Sequence, residues 1–123
     1  MNKFLLLIST GLLIASCMST EKPLYSWYGS EDATYTYTKR GGEEKLANAM
    51  AQYEKVIKKQ KGTRMVVPPG ANAEYGFLLY KSGKKDEGIA LLKEEQKLYP
   101  ESERFISRII KQLEKSNSTK IEP

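Results

Sequence analysis

The sequence contains no histidine and only one cysteine, Cys17. Without histidine, nucleophiles activated by imidazole and histidine-ligated metal sites are excluded. One cysteine leaves no intramolecular disulfide and no CxxC motif. No apolar run approaches the roughly 20 residues that a membrane-spanning helix needs. A Gly-rich phosphate loop is missing as well. The acids, such as Glu94, Glu95, Glu101 and Glu103, fall at helix-surface spacings among lysines. Carboxylates in such a setting lack the contrasting environments that a general acid–base pair requires. These absences predict a chain with no catalytic residues, no metal and no cofactor.

What the sequence does contain points to a folded body. Apolar residues make up 40% and charged residues 28%, a balance that supports a small core rather than disorder. The net charge of +5 favours acidic surfaces without choosing among lipid phosphates, acidic proteins and nucleic acid.

The N-terminus narrows that choice. Lys3 precedes an apolar segment from Phe4 to Ile14, and the small residues Ala15 and Ser16 lead into Cys17. The apolar segment has the length of a secretory signal core, roughly 7 to 15 residues. The stretch IASC, Ile14 to Cys17, resembles the lipobox of bacterial lipoproteins. The resemblance implies cleavage after residue 16, a diacylglyceryl thioether on Cys17 and acylation of the new N-terminus. That covalent lipid is the only prosthetic group implied. Stable anchoring takes two hydrophobic signals, which a multiply acylated cysteine supplies alone. Met18, in place of an aspartate, implies the outer membrane, on its periplasmic side or at the cell surface. Such a leader denies a cytoplasmic address, so no nucleic-acid partner is expected. A plain secretory leader, or a buried N-terminal helix, is the alternative.

Beyond the cysteine, residues 17–24 read as a lipidated tether, 25–115 as one helical domain and 116–123 as a flexible tail. TYTYT alternates like a strand, yet no second run is available to pair with it. Ser30 followed by Glu31 and Asp32 reads instead as a helix N-cap, with the helix ending at Gly41-Gly42. From Glu43, the residues Leu46, Ala49, Met50, Tyr53, Val56 and Ile57 form one apolar stripe, and Gly62 is the expected stop. Pro68-Pro69 forces an extended connector. Further helices are expected from Ala71 to Lys81 and from Lys85 to Leu98. A last one, capped by Ser102, carries Phe105, Ile106, Ile109, Ile110 and Leu113 on its apolar stripe.

Residues 69–102 resemble one tetratricopeptide repeat. Gly76 and Gly88 stand at the close-packing positions of its two helices, Gly83 in the turn and Pro100 at the end. Asn72 and Glu95 depart from the pattern, where a tryptophan and a small residue are usual. A plain helical hairpin is the alternative. The fold class expected is therefore all-α: a small tetratricopeptide-like antiparallel helical array behind a cleaved lipoprotein signal peptide.

Taken together, the lipobox, the block PLYSWYGSEDATYTYTKRG and the block VPPGANAEYGFLLYKSGKKDEGIALLKEEQKLYPES resemble the bacterial lipoprotein family called domain of unknown function 4810. Members of that family tend to be encoded beside two other lipoproteins, one similar to the curli secretion channel subunit. The resemblance thus implies an adaptor or assembly subunit among envelope lipoproteins. It brings no binding or catalytic residues with it. A receptor holding a peptide or glycan in a helical groove is the alternative function.

The best surface candidates are Tyr25, Trp27 and Tyr28, since Trp and Tyr dominate interface hot spots. They suit three roles: packing over the helices, partner contact, or lodging at lipid headgroups. The basic run from Lys55 to Arg64 fits either lipid phosphates near the anchor or a solvated helix end.

Overall fold

Glycines and prolines set the element boundaries. The computed structural model describes residues 21–118. Among them α1 spans Ser30–Arg40, α2 Glu43–Lys58, α3 Ala71–Lys81, α4 Lys85–Leu98 and α5 Glu103–Ser118, with a 3-10 turn at Pro100–Ser102. No strand occurs among the described residues, so the protein is all-α there. The leader, Cys17 and residues 119–123 lie outside the described residues.

TYTYT is helical and sits inside α1. Gly41 and Gly42 end that helix with φ values of +64° and +96°, which glycine adopts without steric cost. Ser30 does not cap it. Gly29 holds the cap position, and the buried Ser30 Oγ donates instead to the Trp27 carbonyl at 2.8 Å. The chain folds back at Trp27, so that carbonyl is the acceptor within reach. On α2 the stripe buries Ala49, Tyr53 and Val56 against Ala33 of α1 and Ala71 and Leu78 of α3.

The tightest contact lies between α3 and α4. A Cβ added at Gly76 would stand 2.6 Å from the Gly88 carbonyl oxygen, and one added at Gly88 would stand 2.5 Å from that of Gly76. The two glycines therefore face one another, and backbone meets backbone. Helix α3 is shared by two cores. Leu78 and Ala71 join the α1–α2 side, while Ala73 packs on Leu92, Ile106 and Ile110 of α4 and α5.

Glu95 explains one departure from the repeat pattern. Helix α3 starts after Gly70 with no side-chain cap. Glu95, 2% exposed on α4, reaches across and accepts the Gly70 N–H through Oε1 at 2.6 Å. A carboxyl oxygen there satisfies a donor that the start of the helix leaves unpaired. Tyr99 adds a second tie, its hydroxyl donating to the Val67 carbonyl.

Three boundaries differ from expectation. Helix α2 ends at Lys58 rather than near Gly62, because the following residues turn to meet the N-terminal segment. Ser102 lies in the 3-10 turn and donates through Oγ to the Tyr99 carbonyl at 2.7 Å, so its side chain does not cap α5. Helix α5 runs to Ser118, past the expected start of the tail at 116. Phe105 also leaves the core stripe. It is 66% exposed, because α5 is the last described helix and only α3 and α4 stand against its first turns.

Two substitutions test these contacts. Gly88→Ala should cost about 1–3 kcal/mol by overpacking, read as a melting temperature several degrees lower in circular dichroism. Glu95→Ala should cost about 1–3 kcal/mol, because the part-buried Gly70 N–H loses its acceptor, while Glu95→Gln, which keeps an acceptor oxygen, should cost less.

Candidate functional site

The aromatic segment before α1 is a strap laid along the chain that follows α2. Pro23 and Leu24 carbonyls accept the N–H groups of Thr63 at 3.1 Å and Arg64 at 3.2 Å. The Gln60 carboxamide bridges the same chain, accepting from Ser26 N–H and donating to the Ser26 carbonyl, both at 2.9 Å. Lys61 N–H donates to Ser26 Oγ at 3.1 Å, and the Tyr28 hydroxyl donates to the Lys59 carbonyl. The ordered domain thus begins earlier than residue 25, and the expected tether loses Pro23 and Leu24 to it.

Gly62 is what lets the two segments meet. A Cβ there would lie 2.3 Å from the Leu24 carbonyl oxygen and 2.5 Å from Tyr25 Cα. Backbone atoms cannot yield as a flexible side chain does.

The three aromatic candidates are divided by this strap. Trp27 packs on the α1–α2 core. Tyr25 meets Trp27 edge to face at 6.5 Å, and its hydroxyl accepts from Arg64 Nη1 at 2.9 Å. Tyr28 is the most exposed of the three. Of the basic run, Lys58 pairs with Glu54 at the α2 surface, an exposed i,i+4 pair that contributes little. Gly76 and Gly88 bring α3 and α4 together as described, Gly83 turns the chain between them with a φ of +96°, and Pro100 opens the 3-10 turn.

A second feature escaped the sequence reading. Helix α3 presents Glu74 and Phe77 to two adjoining hollows. One, of about 400 Å³, lies against Tyr37 and Thr38 of α1. The other, of about 300 Å³, lies against Phe105 and Ile109 of α5. Together they make an open trough with α3 as its floor and α1 and α5 as its walls. Lys81 stands 5.2 Å from the Phe77 ring centroid and 6.0 Å from that of Tyr37, within cation–π range. Desolvation pushes the Glu74 carboxyl above its usual range, even though its side chain reaches the solvent-exposed rim. The signal in the sequence was faint: two phenylalanines that look like core residues.

Among the described residues no cluster of acids or thiols is placed to hold a metal ion, and no helix is long and apolar enough to cross a membrane. The fold and the trough define a small, all-helical domain of stacked hairpins with an open, aromatic-lined face. The chain belongs to the family described as Domain of unknown function (DUF4810), whose model matches residues 24–109. That match takes in the strap, the connector and all helices through the middle of α5. No curated protein and no solved structure matches the chain.

Gly62→Ala should dislodge the strap while leaving the α3–α4 hairpin in place. The expected readout is a red-shifted emission from Trp27, the chain's single tryptophan, with helical circular dichroism largely retained.

Proposed function

We propose that this protein is an envelope lipoprotein, anchored through Cys17, whose tetratricopeptide-like domain is a non-catalytic adaptor within a multi-lipoprotein complex. The observation that carries the reading is the trough. Phe77 and Phe105 are 37% and 66% exposed and line one hollow together, and a contiguous apolar patch of this kind is what marks a contact surface. Trp27 and Tyr25 are engaged within the fold, so the trough replaces the aromatic segment as the favoured contact surface. The glycine-to-glycine hairpin supports the repeat-like reading, because close helix approach is what lets such units stack into a curved face. The lipobox resemblance supports the anchor, and Met18 after the cysteine supports the outer membrane. Other envelope lipoproteins, including one like the curli secretion channel subunit, are the partners this reading expects.

The trough also suits a receptor that holds a peptide or glycan segment, since its aromatic faces and Lys81 offer both stacking and a charge. One purification separates the two. From native membranes, the wild-type protein should bring down companion lipoproteins in stoichiometric amount. Phe77→Ser with Phe105→Ser should lose them while staying in the membrane fraction. A small ligand retained by an isolated monomer, with no companions, supports the receptor and sinks the adaptor. Cys17→Ser should release the chain from membranes with no acyl mass at its N-terminus.

A further inference from the structure

We infer that the strap and connector form a membrane-facing surface that lies on anionic lipid headgroups. This inference rests on the anchored reading above and says which face of the domain meets the bilayer. Four large apolar side chains gather there in the open: Leu24 at 59%, Met65 at 68%, Val66 at 50% and Leu98 at 47% exposure. They are adjacent through known contacts. The Leu24 carbonyl accepts the Arg64 N–H, Met65 and Val66 follow in the chain, and Val66 shares a shallow cleft of about 370 Å³ with Leu98.

The backbone holds them outward. Met65 donates its N–H to the Gly62 carbonyl at 3.0 Å, closing a turn in which Met65 takes a φ of +52°. That left-handed value is uncommon outside glycine, and here it displays a fully apolar side chain to solvent. The strap on one side and the tie from Tyr99 to Val67 on the other fix this turn in place.

Charge names the occupant. Lys22, Lys59, Lys61 and Arg64 are exposed on these same two segments, with Glu21 the acid beside them. Apolar side chains set among cations match a headgroup layer, where the apolar tips enter and the cations meet phosphate. An apolar protein partner would need no such excess of positive charge on these segments. The chain outside the described residues gives the second argument. Cys17 lies seven residues before Leu24, and the described chain begins at Glu21, next to this surface. A lipid on Cys17 therefore brings these side chains to the bilayer before any other part of the domain. The lining of the trough includes none of these residues, so the trough remains open to a partner.

The test uses the full acylated protein extracted from membranes and reconstituted into vesicles of phosphatidylethanolamine and phosphatidylglycerol. A fraction of the phosphatidylglycerol carries a photoreactive headgroup. Cross-linked peptides are located by mass spectrometry. Lipid adducts are expected on Leu24, on Arg64 to Val66 and on Leu98. In Met65→Glu with Val66→Glu these adducts should fall about fivefold or more, with unchanged melting temperature and unchanged flotation with the vesicles. Replacing phosphatidylglycerol by phosphatidylcholine that carries the same photoreactive group should also lower them. Adducts confined to residues 17–22, or found on Phe77 and Phe105 instead, overturn the surface. The anchor is read separately from the mass of the N-terminal peptide. A Cys17 without lipid refutes the anchored reading, while the surface still stands or falls on its own peptides in the same sample.

Discussion

The fold depends on two glycines in van der Waals contact across a hairpin. Where Gly76 and Gly88 meet, α3 and α4 approach until main-chain atoms limit the distance. Everything that makes α3 a shared wall follows from that closeness. It lets Glu95 on α4 reach the N-terminus of α3, and Tyr99 reach the connector just before it. It leaves the far side of α3 for Leu78 to pack against α2, so one eleven-residue helix serves two cores. A small chain has little apolar surface to bury, and a helix used on several sides is an economical solution. The cost is specificity at single positions, since a methyl group at either glycine has nowhere to go.

Much of this was legible in the sequence, and the reason is periodicity. The stripe on α2 and the glycine stops at 41, 42 and 83 report local chemistry, which a chain displays without folding. The helical state of TYTYT was legible by elimination, because a strand without a neighbour cannot satisfy its backbone. What was not legible depends on contacts between residues far apart in sequence. Gly62 reads as a helix stop, and its true role is to admit Leu24 and Tyr25 from nearly forty positions upstream. Glu95 reads as surface charge, and it is buried, holding the N–H of Gly70 just before another helix. Phe105 reads as core by its spacing, and it lies open because no further described helix covers its side of α5. Each error concerns a residue whose type is ordinary and whose neighbour is remote.

The aromatic segment shows how composition misleads about surfaces. Tyr and Trp are concentrated before α1, which is the pattern expected of a contact patch. In the structure their polar tips and backbones are spent on the connector: Tyr25 on Arg64, Tyr28 on Lys59, Ser26 on Gln60. The strap works like an extra element added to the helices, with side-chain and main-chain hydrogen bonds replacing the ladder of a sheet. It closes the end of the α1–α2 core that would otherwise leave Trp27 in water.

The trough and the strap side are two of the open surfaces among the described residues, and they differ in chemistry. The trough combines aromatic rings with one acid and one lysine, on walls drawn from three helices. The strap side combines aliphatic tips with several cations, on loops tied at both ends. A surface of aromatic rings with mixed charge suits a partner that has shape, because rings reward geometric fit. A surface of aliphatic tips on cation-rich segments suits a medium that has charge and fluidity but no fixed shape. The left-handed turn at Met65 belongs to the second kind. Its hydrogen bond to the Gly62 carbonyl closes the turn while the Met65 side chain stays in solvent, and the anchor at Cys17, on the lipobox reading, would put lipid within seven residues of the strap beside it.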